Sequence, residues 1–377
     1  MDIFDLALAF TPRVGGRGAA HLIDTFGSTQ RIFSASVGEL VERAELSPAI
    51  AERIASRVAM PEAESEMAYC RRNDIQIIAT TDVQYPQLLR QITDPPHVLF
   101  AKGELSTLNR SLVSVVGTRN CSPYGVRSCR QIIEQLANKI DDLVIVSGLA
   151  LGIDAAAHRA ALDLGVPTIA VLPNALPGVS PSSHLSLASA IIDSGGLLVT
   201  ELRSTVKNVG KTFISRNRII AGSSYATIVI ESALTGGSMS TARMAVDLGR
   251  PVAAIPGRIG DSRSSGCNLL IGSSVAQLIS SGDDLIKALG WEGRVGSGVV
   301  AGSTDTTFDE SSHFTPDQLG LLRCFRNDEP LHISKLQDLS QMSIPQLSAL
   351  LLELELMGAV SAPRGAYYER IIPLDAV

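Results

Sequence analysis

A chain of 377 residues is long enough for two or three domains of about 150 residues each. Hydrophobic residues make up 45% of it and charged residues 19%, which excludes a disordered chain. Nine Phe, six Tyr and one Trp are too few rings for an extended base-stacking platform. No stretch approaches the roughly 18 uninterrupted apolar residues of a membrane helix. The acidic N-terminus is unlike a signal peptide and the five cysteines form no CxxC pair, so we expect a cytoplasmic protein without membrane contact.

The net charge of −6 is distributed unevenly along the chain. Residues 203–263 carry nine basic and three acidic side chains, a net charge of +6. Residues 1–66 have a net charge of −4, and residues 304–377 one of −6. A basic middle between two acidic ends allows an anionic partner despite the acidic total.

Residues 1–70 are predicted to form a small helical domain. The fragment LALAF leads through Thr11-Pro12 to RVGGRGAAHLIDTFGS, which is the pattern of a helix-hairpin-helix. The free amide groups of such a turn can hold a phosphate. The acidity of this segment favours protein contact, and both interpretations stay open.

Residues 71–110 are predicted to be a connector, which Pro95-Pro96 keeps extended. Residues 111–290 alternate short Val- and Ile-rich runs with helical periods. The runs are SLVSVVG, DLVIVSG, TIAVL, GLLVTE, ATIVIES and RPVAAIPG. This alternation is typical of an α/β fold with a doubly wound, mostly parallel Rossmann-like sheet.

The C-terminal part is predicted to be a separate domain. Residues 293–314 are small and polar and are expected to form a flexible linker. Residues 315–377 show two or three short amphipathic helices, followed by the hairpin pattern GAVSAPRGAYYERIIPL. Helices followed by a hairpin indicate a winged-helix-like domain. Its net negative charge favours protein contact, or a degenerate wing, over duplex readout.

Three polar, glycine-containing loops follow predicted strands. They are the loop Gly117-Thr118-Arg119-Asn120, the loop from Ser147 to Gly152, and the loop from Thr235 to Thr241. Parallel strands bring such loops to one edge of a sheet, where glycines and helix N-termini favour an anion. Together they predict a site for a phosphate-bearing ligand, although each one is also compatible with a simple tight turn. Neither GxGxxG nor GxxxxGK[ST] is present.

The segment KTFISRNRII combines cations with one ring and one amide. Lys211, Arg216 and Arg218 flank Phe213 and Asn217. Phosphate neutralisation with limited stacking is how single strands are held without sequence readout. The alternative is that Phe213 lies in the core and that the arginines cap helices or pair with acids.

Catalytic and metal-binding patterns are weak. Asp154 and His158 are four residues apart, within reach on one helix face, but no GxSxG accompanies them, so a structural histidine is favoured over a general base. Glu231, at a strand end, is expected either to bind a ribose hydroxyl or to cap the loop. The histidines and cysteines have no zinc spacing, and we expect neither a metal nor a cofactor.

Residues 86–290 resemble the DNA-processing protein DprA (Smf) family. The similarity rests on the ordered motifs VVGTRNCSPYG, VSGLALGIDAAAHRAAL, RNRIIAG, VIESALTGGSMSTARMA and IPGR followed by GCNLLIG. Ile214 departs from the family, which often has Pro after the phenylalanine. The resemblance implies a non-catalytic protein that binds single-stranded DNA and loads the RecA recombinase during natural transformation.

The resemblance also implies a homodimer formed through the sheet domain and a set of DNA-binding residues. With the second loop included, the expected set is Gly117, Arg119, Gly148, Lys211, Phe213, Arg216, Asn217, Arg218, Gly236, Gly237 and Ser238. Two other functions compete with this one. A nucleotide phosphoribohydrolase would need a catalytic glutamate where Arg243 or Met244 stands, and a pure interaction scaffold would leave the basic middle unused.

Overall fold

The structure is a computed structural model and divides the chain into two compact units, 1–301 and 302–377. The residues that it describes are 2–206, 212–291, 315–325, 331–356, 359–364 and 367–370. The linker predicted over 293–314 lies outside them. Within these described ranges, no helix has the length and apolar character needed to cross a membrane.

Six helices form the N-terminal part of the first unit. They are α1 Ile3–Phe10, α2 Gly15–Phe26, α3 Thr29–Ser34, α4 Val37–Ala44, α5 Pro48–Ala55 and α6 Met60–Arg72. Capping boxes begin α1 at Asp2 and α4 at Ser36, and Pro48 begins α5. Their apolar faces share a core that includes Leu6, Leu22, Ile32, Leu40 and Ile54.

The predicted helix-hairpin-helix turn lies between α1 and α2, with Gly15 at a φ of +62°. The amide of Arg17, in the first turn of α2, donates to Asp94 Oδ1 at 3.3 Å. The carbonyl oxygen of Pro95 lies against Gly16 so closely that a Cβ there would clash. The turn therefore packs against its own chain, and a carboxylate already accepts from one of the amides that a phosphate would need.

Nine strands form one sheet within the described part of the first unit, in the order β1-β2-β6-β5-β4-β3-β7-β8-β9. They are β1 Gln76–Ala79, β2 Val98–Gly103, β3 Ser111–Gly117, β4 Leu143–Ser147, β5 Thr168–Val171, β6 Leu197–Thr200, β7 Ala226–Ile230, β8 Val252–Ala254 and β9 Gln277–Leu278. All neighbours from β6 to β9 pair in parallel. The six predicted runs form β3 to β8.

Helices cover both faces of this sheet. They are α7 Gln87–Arg90, α8 Pro123–Ala137, α9 Ile153–Asp163, α10 Leu185–Asp193, α11 Thr212–Ser215, α12 Asn217–Ser223, α13 Gly237–Asp247, α14 Ser265–Gly272 and α15 Gly282–Ala288, with 3-10 turns at Leu105–Asn109 and Ser182–His184. Val116 of β3 packs in one core with α12 to α14, whereas Val115 packs in another with α8, α9 and α15. The alternation of strand side chains thus gives the doubly wound arrangement.

Residues 71–110 differ from the predicted connector because they add two strands to the sheet. β1 pairs with β2, and β2 with β6, both antiparallel. The pairing of Phe100 with Thr200 covers an edge of β6 that would otherwise be open. Short antiparallel strands on either side of a Pro-rich loop carry little periodicity, which is why the sequence pattern missed them.

The strand order reverses at β3. From β3 the chain continues to β4 on one side, whereas β7, which follows β6 in sequence, lies on the other side of β3. The loops that leave the carboxyl ends of β3 and β7 therefore diverge, and a crevice opens between them. Ligands of open α/β sheets bind at such a crevice.

The second unit contains three helices and a small antiparallel sheet in its described ranges. The elements are α16 Pro316–Leu322, β10 Leu331–His332, α17 Ile333–Ser340, α18 Ile344–Leu356, β11 Val360–Arg364 and β12 Tyr367–Arg370, with strand order β10-β12-β11. Leu321, Phe325, Leu336, Leu347 and Leu351 form its core. Helices followed by a hairpin match the predicted winged-helix arrangement.

Candidate functional site

A cavity of about 450 Å³ lies at the crevice between β3 and β7. It is lined by the loops that follow β3, β4 and β7, and by the segment that includes α11 and α12. Eight of the eleven predicted site residues line it: Gly117, Arg119, Phe213, Arg216, Asn217, Gly236, Gly237 and Ser238. The cavity is thus the site at which the sequence-distant motifs meet. It is called the switch-point cavity below.

Arg119 supplies the exposed positive charge of this cavity. Its side chain is exposed, and its Cζ lies 5.7 Å from the centroid of the Phe213 ring. Within the described residues it makes no ion pair and no hydrogen bond. A cation over a ring face keeps its N–H groups free, so this guanidinium is available to an anion.

Two backbone hydrogen bonds fix the loop that carries Arg119 to neighbouring elements. The amide of Thr118 donates to the carbonyl of Glu231 at 2.6 Å, and the Thr118 carbonyl accepts from the amide of Ile153 at 3.1 Å. A Cβ on Gly117 would lie 2.6 Å from Ile153 and would also clash with the Ile230 carbonyl. Gly117 is therefore needed for close packing of the loop. Its contact with DNA stays a prediction.

Arg216 lines the same cavity but is only 6% exposed. It donates to the carbonyl of Gly148 at 2.8 Å, to the carbonyl of Val171 and to Asn217 Oδ1 at 3.2 Å. A Cβ on Gly148 would lie 2.6 Å from the Arg216 guanidinium, so the glycine makes this contact possible. The Asn217 amide donates in turn to the Gly237 carbonyl at 3.4 Å. Gly148 thus leaves room for the Arg216 guanidinium, and Asn217 links Arg216 to the backbone of Gly237.

Asp154 completes this buried network. Its Oδ2 accepts from the amides of Gly148 at 3.2 Å and Ala150 at 3.4 Å. Burial raises the pKa of the Asp154 carboxyl, and the Arg216 charge opposes that rise. Burial lowers the pKa of Arg216 to about 10, which the Asp154 charge offsets only in part. The two charges therefore compensate each other in part.

The loop after β7 presents backbone to the cavity. Gly236, at a φ of +152°, precedes α13, and nothing lies within 4 Å of a Cβ built on Gly236 or Gly237. Ser238 is directed inward, because its Oγ lies 2.8 Å from Ser232 Oγ. The two glycines, and not the serine hydroxyl, therefore form the open part of this loop.

Arg218, another predicted residue, lies outside the switch-point cavity. Arg218 pairs with Glu201 at 2.7 Å and with Asp94 at 3.8 Å, and it lines a separate cavity of about 420 Å³. Arg13 and Arg203 line that cavity too. Lys211 lies outside the described residues.

Comparison with known proteins identifies the family. Residues 76–290 match the family described as DNA recombination-mediator protein A, which is more than half of the chain. The chain belongs to this family. Residues 310–365 match a second description, the DprA winged helix domain. The resemblance to the DprA (Smf) family and the predicted fold class are both confirmed.

Several relatives of the DNA recombination-mediator protein A family are similar over most of their length. Protein Smf from Escherichia coli is 35% identical over 310 residues, 81% of this chain and 80% of its own. DNA processing protein DprA from Streptococcus pneumoniae is 43% identical over 202 residues, which cover 54% of this chain and 70% of its own.

Two solved structures share the fold. The crystal structure of DNA processing protein A from Streptococcus pneumoniae has a TM-score of 0.66 and 31% identity, covering 76% of this chain and 98% of its own. DNA processing protein A from Helicobacter pylori, solved for its single-stranded DNA binding mode, has a TM-score of 0.51 and 29% identity, covering 57% and 95%.

The residues considered for catalysis have structural partners. His158 is fully buried, and its Nδ1 lies 2.7 Å from Thr168 Oγ1. Because that hydroxyl donates to the Ile145 carbonyl, the histidine is the donor. Burial lowers the pKa of His158 to about 3, so the ring is neutral. Glu231 accepts from the amide and the hydroxyl of Ser122, and it therefore caps the loop before α8.

Sequence reasoning missed part of the cavity wall. Ile214, which is 60% exposed, lines it together with Thr235 and Thr241. The available sequence signal was that Ile214 follows Phe213 where the family often has Pro. The two threonines lie within the third loop, where no single residue pattern distinguishes a wall residue from a turn residue.

Proposed function

We propose that this chain binds single-stranded DNA in the switch-point cavity and passes it to a RecA-type recombinase. The observation that carries the proposal is the exposed guanidinium of Arg119, unpaired among the described residues, in a cavity that also presents the Phe213 ring and the open backbone of Gly236 and Gly237. The Helicobacter pylori neighbour, which was solved for its single-stranded DNA binding mode, supports the choice of ligand.

In the proposed complex, a phosphate pairs with Arg119 while the strand backbone approaches Gly236 and Gly237. Glycines without neighbours leave room for that approach. Phe213 offers one ring, already covered on one face by Arg119, so stacking contributes little. These contacts read charge and shape, and we therefore expect binding without sequence preference.

The remaining predicted site residues take different proposed roles. Gly117, Gly148, Arg216, Asn217 and Ser238 shape the cavity, because each one is occupied by neighbouring protein atoms. Lys211 stays a predicted phosphate contact. Arg218 stays predicted as well, with its proposed contact in the cavity that it shares with Arg13 and Arg203.

The transfer of DNA to RecA during natural transformation and recombination is the finer part of the proposal. The description of the family as a recombination mediator supports it. We propose that the protein has no catalytic turnover, since the Asp154 carboxylate is occupied by two backbone amides and compensated by Arg216. Because single-stranded DNA and RecA are the proposed partners, we propose that the protein acts in the cytoplasm. The division of the chain into domains, with linker 293–314, remains a prediction.

We also propose a homodimer formed through the sheet domain. Among the described residues β9 ends the sheet, and its Leu278 is 46% exposed. Leu269 and Val275, which precede it closely in sequence, are exposed as well. An open edge with apolar side chains can extend into a second copy of the same sheet. Leu278→Arg should then shift the protein to monomer in sedimentation velocity, and an unchanged dimer would exclude this edge.

The test of the DNA proposal is fluorescence anisotropy of a labelled oligothymidine, with a duplex of equal length as the comparison. We expect the single strand to bind more tightly than the duplex, with an affinity that falls as salt is raised. Absence of single-strand binding at low salt would overturn the proposal. Release of free base from nucleoside monophosphates by the purified protein would support the phosphoribohydrolase alternative instead.

A further inference from the structure

A second cavity, of about 320 Å³, adjoins the switch-point cavity along α13. The two cavities share Thr235 and Gly236, which form the ridge between them. Beyond this ridge the second cavity is lined by Leu234, Met239, Ser240, Arg243, Met244 and Asp247. It is called the α13 cavity below.

The α13 cavity offers an apolar wall and one cation. Leu234 is 54% exposed, and Met244 is half-buried. Arg243 is exposed and, within the described residues, makes neither an ion pair nor a hydrogen bond. An apolar surface beside a free guanidinium suits a ligand that has both a flat, weakly polar face and a negative charge. A nucleotide, with its base and its phosphate, is such a ligand.

The same combination occurs in the switch-point cavity, where Arg119 stands beside Phe213 and the exposed Ile214. We infer that the α13 cavity is a second nucleotide subsite, which holds the neighbouring nucleotide of the strand bound in the switch-point cavity. In it Arg243 pairs with a phosphate and Leu234 supports a base. This inference rests on the proposed function, since it needs a strand in the first cavity.

Asp247 allows a test in which two variants should change the affinity for DNA in opposite directions. It follows Arg243 by four residues on α13, lines the same cavity and is exposed. Its carboxylate repels a phosphate that Arg243 attracts, so the two side chains should have opposite effects on binding. Damage to the fold would weaken binding in both variants.

The first experiment compares two oligothymidines, of about four and about twelve nucleotides, by competition anisotropy. Arg243→Ala should weaken binding of the longer strand about three- to ten-fold and reduce its log–log salt slope by about 0.7. Arg243→Ala should weaken binding of the shorter strand as well, because two neighbouring nucleotides are enough to occupy both subsites. Asp247→Asn should tighten the longer strand by about two-fold.

The control is Arg127→Ala. Arg127 is exposed on α8, lines neither cavity and has no ion pair or hydrogen bond among the described residues. The Arg127→Ala variant removes the same charge from the same unit. Unchanged binding of the longer strand by this variant would show that the effect of Arg243→Ala is local.

The second experiment places a fluorophore at the apolar wall. Trp291 is the single tryptophan of the sequence and is only 7% exposed, so a bound strand should affect its emission little. With the wild-type protein as the background, the change in emission of a Leu234→Trp variant on binding reports on the new position. The longer strand should quench this emission, and Arg243→Ala should weaken the quenching.

The outcomes separate this inference from the function on which it rests. Weakening by Arg243→Ala, tightening by Asp247→Asn and quenching at position 234 would support the second subsite. If Arg119→Ala weakens binding, Arg243→Ala and Asp247→Asn bind as wild type and the Leu234→Trp emission is not quenched, the subsite is overturned and the proposed function stands. If the wild-type protein binds neither oligothymidine, both are overturned.

Discussion

The loops at the carboxyl edge of the sheet fall into two regions with opposite character. The loops after β3 and β7 are open and present the free guanidinium of Arg119 and the uncovered backbone of Gly236 and Gly237. The loop after β4 is filled, because the Arg216 guanidinium occupies the space above Gly148 and bonds to its carbonyl. The two arginines of one predicted site thus differ in their surroundings: the Arg119 guanidinium is exposed, whereas the Arg216 guanidinium is buried and bonded to the cavity wall.

The contrast between Arg119 and Arg216 shows that a basic residue within a motif is not necessarily available to a ligand. Arg216 satisfies backbone carbonyls and balances Asp154, and it lies within the basic region that pointed to DNA. Arg218 of the same motif is paired with Glu201. Among the predicted arginines that the structure describes, only Arg119 combines exposure with a free guanidinium.

The largest expected effect is on the filled loop. Arg216→Ala should lower the free energy of unfolding by about 3–5 kcal/mol, because it leaves buried Asp154 without its compensating charge and two carbonyls without donors. Urea unfolding followed by circular dichroism measures this loss.

The control is Arg119→Ala, which should change the free energy of unfolding by less than about 0.5 kcal/mol. Arg216→Lys, which keeps the charge but loses the planar fork, should lie between the two. Equal stability of Arg216→Ala and Arg119→Ala would abolish the distinction between the filled and the open loops.

A second effect concerns α9, which follows the filled loop. Folded His158 has a pKa of about 3, whereas the unfolded residue titrates near 6.5. The unfolded state alone takes up a proton between these values, so the free energy of unfolding falls as the pH is lowered from 6.5 towards 3. At about pH 5 this one residue should cost about 2 kcal/mol relative to neutral pH.

His158→Asn isolates the contribution of the His158 ring to the pH dependence of the free energy of unfolding. The side-chain amide of the new asparagine can still donate to Thr168 but does not titrate. The variant should lose less stability than wild type between about pH 7 and pH 5, as measured by urea unfolding. Parallel pH profiles of the two proteins would mean that the ring is not held neutral in the folded state.

The smallest expected effect is that of a methyl group added in the loop after β7. Gly237→Ala should raise the free energy of unfolding by about 0.5–1 kcal/mol, since its Cβ meets nothing within 4 Å and it lies in the first turn of α13. The same methyl group should weaken single-strand binding by about three-fold, or about 0.6 kcal/mol.

Gly117→Ala is the matched comparison. Its Cβ would clash with the Ile230 carbonyl and lie 2.6 Å from Ile153, so stability should fall by about 1–3 kcal/mol. If both glycine variants shift stability in the same direction, the loops do not differ as described.

The sequence predicted much of the fold because the central strands are continuously apolar. The runs that became β3 to β8 are each bounded by polar or glycine-containing turns, and the helices between them keep a 3.6-residue period. β1, β2 and β9 were missed, since each is short and its signal depends on the neighbouring strand that it pairs with. Tertiary pairing, and not local pattern, makes them strands.

The candidate site was predictable in its position but not in the roles of its residues. Parallel strands bring their loops together in any such sheet, which placed Gly117, Phe213 and Gly236 in one cavity. Nothing in the sequence distinguishes a guanidinium aimed at solvent from one aimed at a carbonyl, as Arg119 and Arg216 show. That distinction depends on burial, which the fold alone determines.

The most direct test of the open-loop account is the salt dependence of single-strand binding for wild type and Arg119→Ala. We predict that the variant binds a labelled oligothymidine about ten-fold more weakly at low salt, or about 1.4 kcal/mol. Its log–log salt slope should be shallower by about 0.7, the contribution of one phosphate contact on a single strand. An Arg119→Ala variant with the affinity and the slope of wild type would contradict the account.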